Sequence, residues 1–201
     1  MKNIALMASG TGTNALHLME AAKLYPNVRI ACLIVDTLDS PLPNLVGQMY
    51  PMLPVHRILP MGGLKGQDRK SEHEKRILEA LTNHEVNFVF LAGYMRILGH
   101  LLVDTFRHRI VNIHPSLLPL YPGVNSYHRA FEDKVSESGV TIHLVDAGID
   151  TGAILLQEKF PRLETDTLSD FIQRGKELEW KMYPKILEML NGSATLHPGV
   201  S

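Results

Sequence analysis

Residues 3–15 read NIALMASGTGTNA and place an apolar run, a glycine-rich turn and the start of a helical pattern in direct succession. The run Asn3–Ala8 is typical of a strand that is buried on both faces. The glycines of Ser9–Asn14 allow a tight turn and the close approach of an anion, toward which a helix N-terminus directs free N–H groups. The stretch therefore predicts a strand–turn–helix unit with a phosphate site at the turn.

The same turn has more than one interpretation. Gly10-x-Gly12-x-x-Ala15 fits the dinucleotide fingerprint, and Asp36 lies about where an acid that binds ribose would follow. A tight turn into a helix also favours Gly for its own geometry, with Thr or Asn as an N-cap. The turn alone leaves open whether a mononucleotide or a dinucleotide binds there.

The pattern of the first unit continues along the chain. Short apolar runs at Val28–Val35, Asn87–Ala92 and Arg109–Ile113 alternate with helical patterns at Thr13–Lys23 and Asp68–His84. Strands joined by helical crossovers form a parallel sheet with helices on both faces. The first half is therefore predicted to be Rossmann-like and doubly wound.

The second half has a different pattern. Gly139–Val145 and Ile154–Phe160 predict two further strands, antiparallel to the others, eight residues apart. A final helix is predicted over Thr167–Leu190, and Pro184 predicts a kink or break near Tyr183. The predicted fold class is α/β, with a mostly parallel sheet and antiparallel strands in the C-terminal half.

Composition limits the class of protein. The 201 residues, 45% hydrophobic and 20% charged, suit one domain with a full core. We predict a single domain over residues 1–190 and a loose C-terminal tail over 191–201. A net charge of −1 gives no overall field for nucleic acid. The single Cys32, the lack of a secretory signal and the lack of a run of about 20 apolar residues predict a cytoplasmic protein without a membrane span.

The strongest catalytic pattern is the pair Asn112-x-His114. Side chains two apart on a strand point to the same side, ~7 Å apart along the chain. Pro115 ends the strand there, at the edge where open α/β sheets bind ligands. An amide can donate to a developing oxyanion, and an imidazole can donate or relay protons near neutral pH. The pair therefore favours acyl-transfer chemistry over a purely structural loop.

A loop between the last two predicted strands adds two carboxylates, Asp146 and Asp150. A carboxylate near an imidazole can orient it, hold it protonated or pass a proton through water. Asp also commonly satisfies the backbone of its own turn. The residues alone do not separate Asp146 from Asp150, and no His, Cys or carboxylate spacing predicts a metal site.

Four motifs in this order resemble the glycinamide ribonucleotide formyltransferase family. They are Ser9–Asn14 (SGTGTN), Leu91–Leu98 (LAGYMRIL), Asn112–Pro119 (NIHPSLLP) and Gly148–Gly152 (GIDTG), and the similarity runs from residue 2 to about residue 190. The resemblance implies transfer of a formyl group from 10-formyltetrahydrofolate to the primary amine of glycinamide ribonucleotide, in purine synthesis. It implies small-molecule substrates, with no metal, nucleic acid or membrane, and a monomer or a homodimer.

The resemblance also implies roles for individual residues. The catalytic trio falls on Asn112, His114 and Asp150, which selects Asp150 over Asp146. The positions that approach the phosphate and ribose of the acceptor are Gly12, Thr13, Asn14, Lys176 and Glu179. The folate-binding positions are Met95, Arg96, Ile97, Leu98, Val145, Asp146, Ala147, Gly148 and Ile149.

Three segments depart from the family pattern, and the mildest departure is Thr11 of the glycine turn, where many relatives carry Asn. Asp36–His56 differs strongly from the usual second-strand region, and Gly123–Arg129 lacks the Gly-x-His contact of many relatives and is similar to formyltetrahydrofolate hydrolases. The alternatives are therefore a hydrolase of the same folate or a formyltransferase that acts on another amine. An NAD-binding oxidoreductase or sensor would use the glycine turn and Asp36 but not the trio, and a non-catalytic binder would not need the trio.

Overall fold

A computed structural model describes residues 1–63, 66–193 and 195–196, which contain one seven-stranded sheet. The strands are β1 (Lys2–Ala8), β2 (Val28–Val35), β3 (Val55–Arg57), β4 (Phe88–Leu91), β5 (Ile110–His114), β6 (Glu137–Leu144) and β7 (Ile154–Pro161). The helices are α1 (Thr13–Ala22), α2 (Leu42–Met49), α3 (Gly66–Asn83), α4 (His100–Thr105), α5 (Ser126–Glu132), α6 (Leu168–Met182) and α7 (Lys185–Gly192).

The sheet order is β3-β2-β1-β4-β5-β6-β7, and the first five strands in this order run parallel to one another. The strand order reverses beside β1, because β2 lies on one side of it and β4 on the other. Strands β6 and β7 add to the β5 edge in antiparallel sense. The predicted fold class is therefore confirmed, including the antiparallel C-terminal strands.

Strand β1 shows why the apolar runs are continuous. Ile4 and Leu6 belong to a core cluster that contains residues of α1 and α7. Ala5 and Met7 belong to a second cluster, on the other face, that contains residues of α3 and α4. Both faces of the strand are covered by helices, so every position from Ile4 to Ala8 is apolar.

The predicted final helix is two helices, α6 and α7, which meet at Pro184. The proline ring has no N–H to continue the helix, and Pro184 takes the N-cap position of α7. Tyr183, at the break, is fully buried and its hydroxyl donates to the carbonyls of Leu91 and Val111. The break therefore anchors the C-terminal helices on the parallel strands.

The single domain over 1–190 and the loose tail over 191–201 stay predictions. Helix α7 extends through Gly192, and Leu196 is buried in the core. Residues 194 and 197–201 of the predicted tail lie outside the described residues. No helix of the described chain is long and apolar enough to cross a membrane.

Candidate active site

The carboxyl ends of β1, β4 and β5 meet at one edge of the sheet, beside the reversal of strand order. A cavity of about 380 Å³ opens there. Its lining includes Asn112, His114, His143 and Asp150, together with residues 93–98, 123–126 and most of 145–149. This is where open α/β sheets place ligands, and the structure brings the predicted trio together in it.

Asn112 reaches the cavity from the end of β5, opposite His143 of β6. The antiparallel register pairs the two residues directly, and Asn112 Nδ2 lies 3.1 Å from His143 Nε2. His143 Nδ1 lies 2.8 Å from the carbonyl oxygen of Leu144, which can only accept. Nε2 of His143 lies between the Asn112 amide, which donates to it when it is unprotonated, and Asp150 Oδ1 at 3.5 Å, to which it donates when it is protonated. Asn112 Nδ2 makes no second hydrogen bond to the residues that the structure describes.

The side chain of His114 is almost completely buried between acceptor groups. Its Nδ1 lies 3.2 Å from Asp150 Oδ2, and its Nε2 lies 2.9 Å from the carbonyl oxygen of Tyr121. The hydroxyl oxygen of Ser126 lies 3.1 Å from the same Nε2. The Tyr121 carbonyl can only accept, so Nε2 carries a proton, and the Asp150 carboxylate favours a second proton on Nδ1.

Asp150 is held by contacts from three directions. Gly123 donates its backbone N–H to Asp150 Oδ2 at 2.8 Å, and His143 Nε2 lies 3.5 Å from Oδ1. Its backbone has φ of 54°, a left-handed conformation that Asp tolerates better than most residues. The carboxylate therefore contacts both histidines of the cavity at once.

The electrostatics of the pair act in opposite directions. Burial lowers the pKa of His114, and the Tyr121 carbonyl and the Asp150 charge oppose that effect only in part. Burial alone would raise the pKa of Asp150, but the contacts from His143, Gly123 and His114 outweigh it and lower that pKa. Asp150 thus stays ionised near neutral pH, and His114 gains a proton only below its ordinary range.

The other loop carboxylate has a local role. Asp146 Oδ1 accepts from the backbone N–H of Gly148 at 3.0 Å and from the hydroxyl of Thr151 at 2.7 Å. These contacts close its own turn, whereas Asp150 points to His114. The geometry thus separates two carboxylates that the sequence motif alone leaves equivalent.

The predicted folate-binding residues form much of the cavity wall. Met95, Arg96, Ile97, Leu98, Val145, Asp146, Gly148 and Ile149 line it, whereas Ala147 is exposed outside the lining. Met95 donates its backbone N–H to the hydroxyl of Ser9 at 2.9 Å, which ties this wall to the glycine turn. Met95 and Ile97 are exposed at the rim, as are Val124 and Ile149.

The predicted acceptor residues lie outside that cavity. Gly12 is the N-cap of α1 with φ of 73°, and a Cβ there would come within 2.3 Å of Leu42. Asn14, in the first turn of α1, donates to the carboxylate of Glu179 on α6 at 2.7 Å. Thr13 and Lys176 are exposed on the same two helices. The structure therefore joins α1 to α6 through Asn14 and Glu179.

Asp36, the residue on which the dinucleotide interpretation depends, has another partner. It is buried at the end of β2, and Arg96 Nε donates to its Oδ2 at 2.5 Å. The segment after it packs onto the glycine turn, since Thr37 and Ser40 donate to the carbonyls of Ser9 and Gly10. Asp36 is engaged by Arg96, so the structure gives no support to ribose binding by it.

Three residues of the site are absent from the predicted set. They are His143, Ser126 and Tyr127, whose hydroxyl donates to Glu179 at 2.7 Å. His143 becomes identifiable as a site residue only from the antiparallel register of β5 and β6, which places it opposite Asn112. No group of three or more potential metal ligands occurs among the residues that the structure describes.

The model of the Formyl transferase family matches residues 2–187. The chain belongs to the formyl transferase family. A relative from Bacillus subtilis (strain 168), named phosphoribosylglycinamide formyltransferase, is 37% identical over 193 residues, which are 96% of each chain. The predicted family membership is therefore confirmed.

Solved structures of the family agree with this placement. A phosphoribosylglycinamide formyltransferase from Bacillus halodurans has a TM-score of 0.86 and 36% identity, over 96% of this chain and 97% of that chain. A formyltetrahydrofolate deformylase from Pseudomonas syringae has a TM-score of 0.80 and 26% identity, over 93% of this chain and 60% of that one. Proteins named as a formyltransferase and as a deformylase thus share this fold.

Proposed function

We propose that this formyl transferase moves the formyl group of 10-formyltetrahydrofolate to the primary amine of glycinamide ribonucleotide, a step of purine synthesis. The main support is the trio of Asn112, His114 and Asp150 at one end of the cavity. Relatives that cover nearly the whole chain carry the corresponding name. Both substrates are small molecules, and we expect the enzyme to act in the cytoplasm without a metal, as a monomer or a homodimer.

The cavity wall supports a flat, partly apolar co-substrate. Met95, Ile97, Val124 and Ile149 leave apolar surface exposed around the opening. Burying such surface against a pterin and its aromatic extension would contribute about 25 cal/mol per Å². In this proposal the backbone of the loop 145–149 contacts the pterin ring, and the formyl group lies against Asn112 and His114.

The reaction proceeds by direct attack. The acceptor nitrogen bonds to the formyl carbon, and the formyl oxygen becomes an oxyanion close to Asn112 and His114. The free N–H of the Asn112 amide donates to it, a contact of the kind worth roughly 10²–10³ in rate. The bond from carbon to the folate nitrogen then breaks. His114 and Asp150 pass the proton lost by the amine to that departing nitrogen.

The acceptor residues support a ribonucleotide. Gly12, Thr13 and Asn14 form the N-terminus of α1. The backbone N–H groups and the helix dipole at a helix N-terminus favour the binding of a phosphate. Lys176 is exposed on the neighbouring α6 and supplies a positive charge. Glu179 supplies acceptor oxygens for ribose hydroxyls.

A hydrolase of the same folate is the second candidate, supported by the deformylase structure and the unusual segment Gly123–Arg129. Purified protein is incubated with 10-formyltetrahydrofolate, with and without glycinamide ribonucleotide, and release of tetrahydrofolate is followed. Turnover that requires the ribonucleotide supports the proposal. Equal turnover without it supports the hydrolase, and inactivity with NADH binding supports an oxidoreductase or sensor.

A further inference from the structure

The carboxylate of Glu179 is buried and has two neutral donors. Asn14 Nδ2 donates to Oε2 at 2.7 Å, and the hydroxyl of Tyr127 donates to Oε1 at 2.7 Å. The residue is only 9% exposed. No cation forms an ion pair with it among the residues that the structure describes, and the charge of Lys176 is the smallest of the favourable effects on its ionised form. The carboxylate therefore depends mainly on these two donors for its charge and orientation. Each oxygen retains lone-pair capacity for a further donor.

The same contacts determine the direction in which the pKa of Glu179 shifts. Burial raises the pKa of Glu179, and the bonds from Asn14 and Tyr127 oppose that rise. Burial also raises the pKa of Tyr127, helped by the nearby carboxylate, so its hydroxyl stays a neutral donor. Loss of the hydroxyl would therefore raise the pKa of Glu179 further.

The position of the Tyr127 ring is set by the core. It packs edge-on against Phe160 and Phe171, with ring centroids 6.3 Å and 6.1 Å away. Gly175 of α6 leaves room for the ring, because a Cβ there would lie 2.4 Å from it. A hydroxyl on so fixed a ring holds the carboxylate in one orientation.

The same helix reaches both halves of the site. Ser126, the neighbour of Tyr127 on α5, places its hydroxyl 3.1 Å from His114 Nε2. Asn14 Oδ1 is buried and finds no donor among the residues that the structure describes. Glu179 and the Asn14 amide oxygen are thus neighbouring acceptors, and the amide oxygen lacks a donor within the described part of the chain.

We propose that Tyr127 is a positioning and specificity-determining residue for the acceptor, because its hydroxyl holds Glu179 so that the carboxylate and Asn14 Oδ1 accept from ribose hydroxyls. The inference rests on the proposed function. Tyr127 acts through Glu179 and touches no reacting atom. It lies in the segment Gly123–Arg129 that departs from the family pattern.

The test is Tyr127→Phe, which keeps the ring and deletes only the hydroxyl. KM for glycinamide ribonucleotide should rise about tenfold or more, the effect of losing a hydrogen bond to a charged group. The KM for the folate and kcat should change less than threefold. Preference for the ribonucleotide over an analogue that lacks one ribose hydroxyl should shrink. The rise in KM should also grow as the pH falls, because Glu179 protonates more readily.

Tyr50→Phe is the matched control, since the Tyr50 hydroxyl donates to Glu20 at 3.0 Å on an exposed surface. It should leave all these constants unchanged. A double-mutant cycle of Tyr127→Phe with Glu179→Gln tests whether Tyr127 acts through Glu179. The increases in KM for glycinamide ribonucleotide should be far from additive in the double variant.

The outcomes separate the two proposals. A wild type that does not use glycinamide ribonucleotide overturns the proposed function and this inference with it. An active wild type with unchanged acceptor KM and unchanged preference in Tyr127→Phe overturns the inference alone. Should Tyr127→Phe not fold, Glu179→Gln is measured by itself, and an unchanged ribose preference there overturns the inference as well.

Discussion

Nδ1 of His114 and Oδ2 of Asp150 lie 3.2 Å apart, although the two residues are far apart in sequence. Gly123 binds the same carboxylate oxygen, and the Tyr121 carbonyl binds the other ring nitrogen. The imidazole is therefore fixed between two oxygens, one of them charged. This relationship makes the two side chains one proton-handling unit in the proposed reaction.

Replacement of His114 tests the catalytic assignment. His114→Ala should lower kcat by at least ~10², because general acid–base groups contribute ~10²–10⁴. The fold should persist, as judged by circular dichroism. His100→Ala, exposed on α4, is the control and should keep full activity. Near-wild-type turnover in a folded His114→Ala would refute the assignment.

Asp150→Asn removes the charge of the carboxylate and keeps its size and its tolerance of a left-handed backbone. The His114 pKa should fall further, since the Asp150 charge is one of the two contacts that raise it. A large loss of kcat should accompany this fall. We expect strongly non-additive losses when Asp150→Asn and His114→Ala are combined.

The readout is kcat at several pH values, with an NMR titration of His114 in both backgrounds that retain it. An unshifted titration together with additive losses would show that Asp150 acts independently of His114.

Removal of Lys176 tests the phosphate contact. Lys176→Ala should weaken binding of the ribonucleotide more at low salt than at high salt, because exposed charges are screened. Folate affinity should hardly change. Lys181→Ala, exposed later on α6, serves as the control. Equal losses for both ligands, measured by calorimetry, would argue against a phosphate role.

The glycine turn has its own prediction. Gly12→Ala combines a left-handed backbone with a Cβ that would meet Leu42 at 2.3 Å. The backbone alone costs roughly 1–2 kcal/mol, so the free energy of unfolding should fall by at least that much. Gly10→Ala has open space around its Cβ and should change stability little. Urea denaturation measures the free energy of unfolding of both variants. Equal values for Gly12→Ala and Gly10→Ala would contradict the structure of the turn.

Stability should depend on pH through His114. Its folded-state pKa is lowered, so the unfolded chain binds the proton more readily below its ordinary value of about 6.5. The contribution of His114 to the free energy of unfolding should therefore be greatest above that pH. It should decrease as the pH falls through and below that value. His114→Gln should show a shallower decrease over the same range. Parallel curves for the two proteins would mean that His114 is not desolvated in the fold.

The sequence predicted the elements with strong local patterns. Val28–Val35 is β2 to the residue, because a run in which every side chain except Arg29 is apolar marks a strand covered on both faces. The break at Pro184 follows from the missing N–H. The three-residue strand Val55–Arg57, which follows Pro54, carries no such signal and was absent from the prediction.

The site could be predicted where its residues share a motif. Asn112 and His114 lie two apart on one strand, so their common direction follows from the pleat. His143 and Tyr127 act on partners in other elements, and only the register of β6 and the packing of α5 on α6 bring them there. Long-range geometry of this kind leaves no local pattern in one sequence.

The destination of the formyl carbon is the most direct test of the proposed transfer. 10-formyltetrahydrofolate labelled with ¹³C in its formyl group is mixed with excess enzyme and glycinamide ribonucleotide, and products of a single turnover are analysed by mass spectrometry. The proposed function predicts the label on the ribonucleotide as an amide, with negligible labelled formate. Labelled formate at the same rate with and without the ribonucleotide, and an unlabelled ribonucleotide, would contradict it.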